Sequence, residues 1–180
     1  MSAPVFSTTD PVYQGFMQSQ LAEGMALSAA SDILDLHLSP IAPPHFLAEF
    51  HCNGLVRDEA GEICEAGEFH VGIWFPDDYL RRASTFDVLR IFTPRVWHPN
   101  VSGESPMLCI GTLAPGTPLV DILHRTYEVL TYQQCNPVEG NALNKAACAW
   151  ARTHLSRFPI DGRPLKRRRL ELEVSSCETQ

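Results

Sequence analysis

No lysine or arginine precedes Arg57, no C-x-x-C pair joins any of the six cysteines, and no apolar run approaches the ~18 residues needed to cross a bilayer. Each absence excludes something. A zinc knuckle or a thioredoxin-type redox site is ruled out by cysteine spacing, and a membrane-spanning helix by hydropathy. The N-terminus lacks the basic segment of a secretory signal, so a cytoplasmic chain with reduced thiols is expected. Positive charge is short overall: 14 basic against 21 acidic residues leave a net charge of −7 over 180 residues. That balance argues against a general nucleic-acid binder and, with the hydropathy, against a membrane partner. Hydrophobic residues at 44% and charged residues at 19% describe an ordinary globular chain, long enough for one domain with appended ends.

What is present changes texture along the chain. Asp10-Pro11 reads as a helix start, an acidic cap followed by proline in the first turn. Leu21, Met25, Ala29, Ile33 and Leu36 recur at helical spacing, which predicts a helix to about His37, with Gly15 and Gly24 as weak points. Strand-like runs follow at Phe46–Leu55, Phe69–Phe75, Phe86–Phe92 and Met107–Ile110, bounded by glycine, proline and aspartate. Thr117-Pro118 opens a helix with Leu119, Ile122, Leu123, Thr126 and Leu130 on one face. A last helix is expected from about Asn141, with Leu143, Ala147, Trp150, His154 and Phe158 on one stripe. The order predicts an α+β fold: an N-terminal helix, a four-stranded antiparallel meander, an irregular segment, then C-terminal helices. The domain is expected over residues 11–158. Residues 1–10 read as a frayed lead and 159–180 as a polar, mobile tail with five basic residues between Arg163 and Arg169.

The chemistry-bearing stretch runs from Phe92 to Leu123. It contains Trp97-His98-Pro99-Asn100 and, nine positions after Asn100, Cys109-Ile110-Gly111-Thr112-Leu113. Upstream lies Phe75-Pro76-Asp77-Asp78-Tyr79, and downstream Asn136-Pro137 precedes the last helix. In these motifs, and in their order, the chain resembles the E2 ubiquitin-conjugating enzymes over about Pro11 to Phe158. A His-Pro-Asn alone is weak; His-Pro-Asn with a correctly spaced cysteine and Phe-Pro-x-x-Tyr is specific.

The resemblance implies the UBC-like α+β fold and an acyl-transfer chemistry. Cys109 is the implied carrier, taking a ubiquitin-like protein from an E1-like activating enzyme as a thioester and passing it to an amine, expected to be a lysine, of a protein substrate. A thiolate is both a good nucleophile and a good leaving group, so one residue serves both steps. Asn100 is the implied amide donor to the oxyanion, directly or by ordering its loop; otherwise it is a turn-former. His98 has two readings: general base, or a ring that fixes the His-Pro-Asn turn, the role the family favours. Counting from Asn136-Pro137, Glu139 is the candidate acid for positioning the incoming lysine, with Asn141 second; a solvated surface glutamate is the plain alternative. No metal or organic cofactor is implied, because ATP belongs to the activating enzyme. The other cysteines read as inert: Cys52 and Cys148 in the core, Cys64 and Cys135 in turns, Cys177 in the tail. Trp74, Trp97 and Trp150 read as core aromatics.

The chain also departs from the eukaryotic pattern. Leu80 follows Tyr79 where proline is usual, and RRASTF replaces the following Pro-Pro. The connection from Tyr79 to His98 is a few residues longer, and no tryptophan lies between Cys109 and the next helix. Gly111 stands where many members carry a polar or acidic residue. The first helix, basic in the family, here lies within residues 1–56, which hold five acids (Asp10, Glu23, Asp32, Asp35, Glu49). These departures look like a bacterial E2-like protein of a ubiquitin-like conjugation operon, which implies a role in antiviral (antiphage) defence. Two rivals stand beside this reading. One is a non-catalytic E2-variant module that binds a ubiquitin-like protein. The other is a Cys-His hydrolase using Cys109 and His98, for which no orienting acid is visible beside His98.

Overall fold

A computed structural model describes residues 10–39, 45–135 and 137–166. The expected lead at 1–9, most of the basic run and Cys177 lie outside the described residues.

Helix α1 (Pro11–Ala29) starts as the sequence indicates: the Asp10 carboxylate accepts from the Val12 and Tyr13 amides at 2.9 and 3.4 Å, and Pro11 occupies the first turn. It stops eight residues earlier than expected. Leu34–Ser39 is strand β1, not helix. Leu34 and Leu36 alternate with Asp35 and His37, and this period-two pattern governs, while the i, i+4 spacing from Met25 to Ile33 is coincidental. The buried stripe of α1 is therefore Tyr13, Met17, Gln20, Gly24 and Leu27, and Met25 faces outward. Gly24 is a contact, not a weak point: a Cβ there would meet Leu119 and Leu36 side-chain carbons at 2.7 Å.

The main sheet has the order β1-β2-β5-β6, antiparallel throughout, with β2 at His45–Phe50, β5 at Phe69–Trp74 and β6 at Leu89–Ile91. Phe46, Ala48, Phe50, Phe69, Val71, Ile73, Leu89 and Ile91 point inward onto α1 and onto helix α3 (Leu119–Leu130). The four-stranded meander with helices on one face is as expected, but its membership differs. The expected strand Phe46–Leu55 breaks after Phe50, and Gly54–Arg57 (β3) instead pairs with Ile63–Ala66 (β4) in a separate hairpin. Phe86–Phe92 divides into a short helix α2 (Thr85–Val88) and β6, while Met107–Ile110 contributes only the bridge Val101 to Leu108. Trp74 is 43% exposed on the outer sheet face, so it is not a core aromatic.

Helix α3 buries the anticipated face, Leu119, Ile122, Leu123, Thr126 and Leu130. Thr117 does not cap it; the cap residue is Pro118, and the buried Gln20 of α1 supplies the missing acceptor, taking the Leu119 amide at 2.6 Å. The last helix, α4 (Lys145–Thr153), starts later than expected, capped by the Asn144 side chain, and residues Glu139–Asn141 form a separate 3₁₀ turn. The packed chain also continues past residue 158. Leu165 is 2% exposed in the main core, and Asp161 holds Arg163 through side-chain bonds of 2.6 to 3.1 Å, so the expected tail boundary lies too early. That guanidinium draws the Asp161 carboxyl down to about 2. Among the described residues no helix is long and apolar enough to cross a membrane.

Candidate functional site

A second, smaller hydrophobic cluster of Leu55, Trp97, Tyr132 and Ala147 lies apart from the main core, with Trp150 and Phe158 packed against it. The His-Pro-Asn turn is built between this cluster and the chain that follows Val101. Pro99 supplies its carbonyl to the Leu143 and Asn144 amides at 2.9 and 3.1 Å. The approach to α4, which carries the 3₁₀ turn with Glu139 and the exposed Asn141, is thereby fastened to the turn.

His98 is completely buried. Its Nδ1 accepts the Asn100 amide at 3.0 Å, and its ring meets the Tyr132 ring edge-on at 4.5 Å between centroids. Among the described residues Nε2 is buried without a hydrogen-bond partner. Desolvation of the cationic form lowers the imidazole to about 3. A ring that is neutral near pH 7, accepts a backbone N–H and is sealed from solvent is suited to fixing a turn and poorly suited to relaying protons. Tyr132 completes the arrangement. It has left no sequence signal of its own: it follows α3 with φ of 58°, a left-handed conformation that normally goes to glycine or asparagine. Its hydroxyl donates to the Trp97 carbonyl and its ring packs edge-on to His98 and tilted against Phe158, which offsets a backbone cost of roughly 1–2 kcal/mol.

Asn100 and Cys109 are joined in both directions. The Cys109 amide donates to the Asn100 carbonyl at 2.9 Å, and Asn100 Nδ2 donates to the Cys109 carbonyl at 3.0 Å. The Val101–Leu108 bridge closes the loop between them. Cys109 is a free, half-buried thiol, bordered by Leu108 and Ile110, both of which point into the main core. The sulfur-bearing residue is therefore held at the surface by buried neighbours on either side. Cys52 and Cys148 are buried, and burial pushes the Cys52 thiol up to about 12. Cys64 lies on strand β4 and not in a turn, while Cys135 is half-buried against the smaller cluster. Among the described residues no group of histidine, cysteine and acidic side chains could hold a metal ion.

Of the four candidates, the structure brings Asn100 and Cys109 into direct contact and sets His98 behind the turn. Glu139 opens the 3₁₀ turn on the segment docked to Pro99. Sequence reasoning missed Asn144, although an asparagine just before a helical run is a capping signal. It also missed Tyr132, which acts through tertiary contacts that no local pattern encodes.

No family model matches the chain, and no curated protein is matched by sequence. Comparison with solved structures is informative. The E2 domain of a Toxoplasma gondii ubiquitin conjugating enzyme superposes with a TM-score of 0.55 at 15% identity, over 82% of this chain and 91% of that one. At that identity the likeness speaks for architecture: the chain has the fold of a ubiquitin-conjugating E2 domain.

Proposed function

We propose that this protein is an E2-like conjugating enzyme that carries a ubiquitin-like protein on Cys109. The observation that supports it most is the half-buried Cys109 thiol, cross-bonded at its backbone to the amide-bearing Asn100. In loading, Cys109 Sγ attacks the thioester carbonyl of an E1-like enzyme. The new C–S bond forms as the activating enzyme's thiol leaves. In transfer, an amine of a protein substrate attacks the same carbonyl, the C–N bond forms, Cys109 departs as thiolate, and the ammonium proton is lost to water or a nearby base. Positioning supplies most of the acceleration, because the thioester already stores the activation.

Asn100 Nδ2 carries two N–H groups. One is used in the resting bond to the Cys109 carbonyl, which aims the amide at the nucleophile's own residue; the other is the donor to the oxyanion. His98 is assigned a positioning role, consistent with its enclosure. Glu139 is the acid proposed to orient the incoming lysine. The departures from the eukaryotic pattern favour a modifier and an activating enzyme from a bacterial operon, with antiphage defence as its setting. Loss of phage protection on replacing Cys109 by alanine in the intact operon tests that setting.

The test of the activity supplies an E1-like enzyme, a ubiquitin-like protein and ATP. Wild type should form a reductant-labile adduct, Cys109→Ser an adduct that survives reductant, and Cys109→Ala none. Binding of the modifier without any adduct would instead mark a non-catalytic variant, and ester hydrolysis by the free protein a thiol hydrolase.

A further inference from the structure

The backbone around Cys109 is well tied on one side and sparsely on the other. Among the described residues, backbone hydrogen bonds hold the chain at Cys109, through Asn100, and again at Thr117, through Ala114. Residues 110–113 lie between, with Ile110 and Leu113 buried and Gly111 in the left-handed region at φ of 90°. A Cβ at Gly111 would meet nothing within 4 Å, so the glycine serves the sharp change of direction and not close packing.

Two side chains from distant parts of the chain fill this gap. Thr85, the first residue of α2, is 5% exposed and donates Oγ1 to the Gly111 carbonyl at 2.7 Å. Arg125, midway along α3, donates Nη1 to the very next carbonyl, that of Thr112, at 3.0 Å. The RRASTF stretch that lengthens the Tyr79–His98 connection is the one that delivers Thr85 to the loop. We propose that Thr85 and Arg125 are positioning residues for Cys109, tethering the Gly111 and Thr112 carbonyls, two and three residues beyond the nucleophile, and so keeping the Cys109 carbonyl on the Asn100 amide.

The physical argument is one of lever arms. Cys109 is fixed to Asn100 at its own N–H and C=O, but the second bond is a single side-chain amide that a shift of about 1 Å would break; misplacement on that scale is enough to cost up to 10²-fold in rate. With the Gly111 and Thr112 carbonyls anchored, rotation of the backbone just beyond Cys109 is opposed from α2 and from α3 at once. Thr85 carries the larger share. Its hydroxyl is enclosed, and removing it strands a carbonyl in a partly buried place, whereas the Arg125 bond is exposed and competes with water. This inference rests on the reading of Cys109 as the acyl carrier.

The test pairs Thr85→Val, which keeps the shape and removes the donor, with Thr85→Ser, which keeps the donor. Two readouts are used: single-turnover discharge of the loaded enzyme to free lysine, and hydrogen exchange at the Cys109 amide. Thr85→Val should discharge about 5- to 10-fold more slowly while loading within about twofold of wild type. Its Cys109 amide should exchange at least tenfold faster, with α1 and α3 amides unchanged. Thr85→Ser should restore both, and Arg125→Met should show the same pattern at about threefold. Adding Thr85→Val to Asn100→Ala should slow discharge no further, because both act through one contact; a side chain that merely stabilises the fold would add its full effect. Unchanged exchange at Cys109, failure of serine to rescue, or full additivity overturns the proposal. Should wild type never load, the acyl-carrier reading falls, and amide exchange still decides the tether by itself.

Discussion

The two hydrophobic clusters are held in different ways. The main core is made by regular elements: four strands with alternating inward residues lie under α1 and α3, and ladder hydrogen bonds carry the backbone. The smaller cluster of Leu55, Trp97, Tyr132 and Ala147 backs a turn outside the sheets, whose backbone groups are satisfied one at a time: the Trp97 carbonyl by the Tyr132 hydroxyl, the Asn100 amide by the His98 ring, and the Pro99 carbonyl by the Leu143 and Asn144 amides. The first arrangement gives stability that is distributed over many residues. The second concentrates both stability and geometry in few side chains, so lesions there should alter function more than their cost in folding suggests.

The comparison can be broken most forcefully at Tyr132. Tyr132→Ala removes the ring between His98 and Phe158 and should lower unfolding free energy by about 3–5 kcal/mol in denaturant titration, as large-to-small core changes do. Tyr132→Phe keeps the ring and leaves the Trp97 carbonyl unpaired, for about 1–2 kcal/mol. A larger loss for phenylalanine than for alanine would contradict the packing account.

His98 gives the comparison a pH signature. Its folded-state pKa, near 3, lies below the 6.5 of an ordinary imidazole, so the unfolded chain binds the proton more tightly. The associated stability is complete above pH 6.5 and is lost progressively as pH falls toward 3. Between pH 7 and 5 wild type should lose about 2 kcal/mol more than His98→Asn, measured as the difference between their stability–pH curves. Parallel curves would mean that the ring is accessible to protons in the folded state.

On the regular side, Gly24→Ala should cost about 1–3 kcal/mol, since the added methyl enters the space of Leu119 and Leu36. Gln20→Leu should cost about 1–2 kcal/mol by leaving the Leu119 amide unpaired at the start of α3. Both should leave the ratio of loading to discharge unchanged, in contrast to Asn100→Ala, which should load normally and discharge slowly with little loss of stability. Equal discharge in Asn100→Ala would remove its proposed role.

The contrast also explains what was legible in the sequence. Elements of the main core announce themselves locally: the α3 face from Leu119 to Leu130 follows from spacing, and the strand expected at Phe69–Phe75 and found at Phe69–Trp74 follows from its β-branched and aromatic run. The chief departure there, a strand where a helix to about His37 is expected, arises because Ile33 and Leu36 fit a helical and an alternating pattern alike, and pairing with β2 decides between them. At the site, the motif residues His98, Asn100 and Cys109 are visible because they are close in sequence and of rare type. The groups that hold them are not. Thr85, Arg125 and Tyr132 are ordinary residues made important by long-range bonds to backbone carbonyls, and nothing within a few positions of them indicates a partner.

The central claim concerns a single sulfur. With E1-like enzyme, ubiquitin-like protein and ATP, peptide mapping of the unreduced adduct should place the modifier's C-terminal carbonyl on Cys109, and its mass should vanish on thiol treatment. An adduct mapped to Cys64, Cys135 or Cys177, or one that persists in Cys109→Ala, would contradict the account.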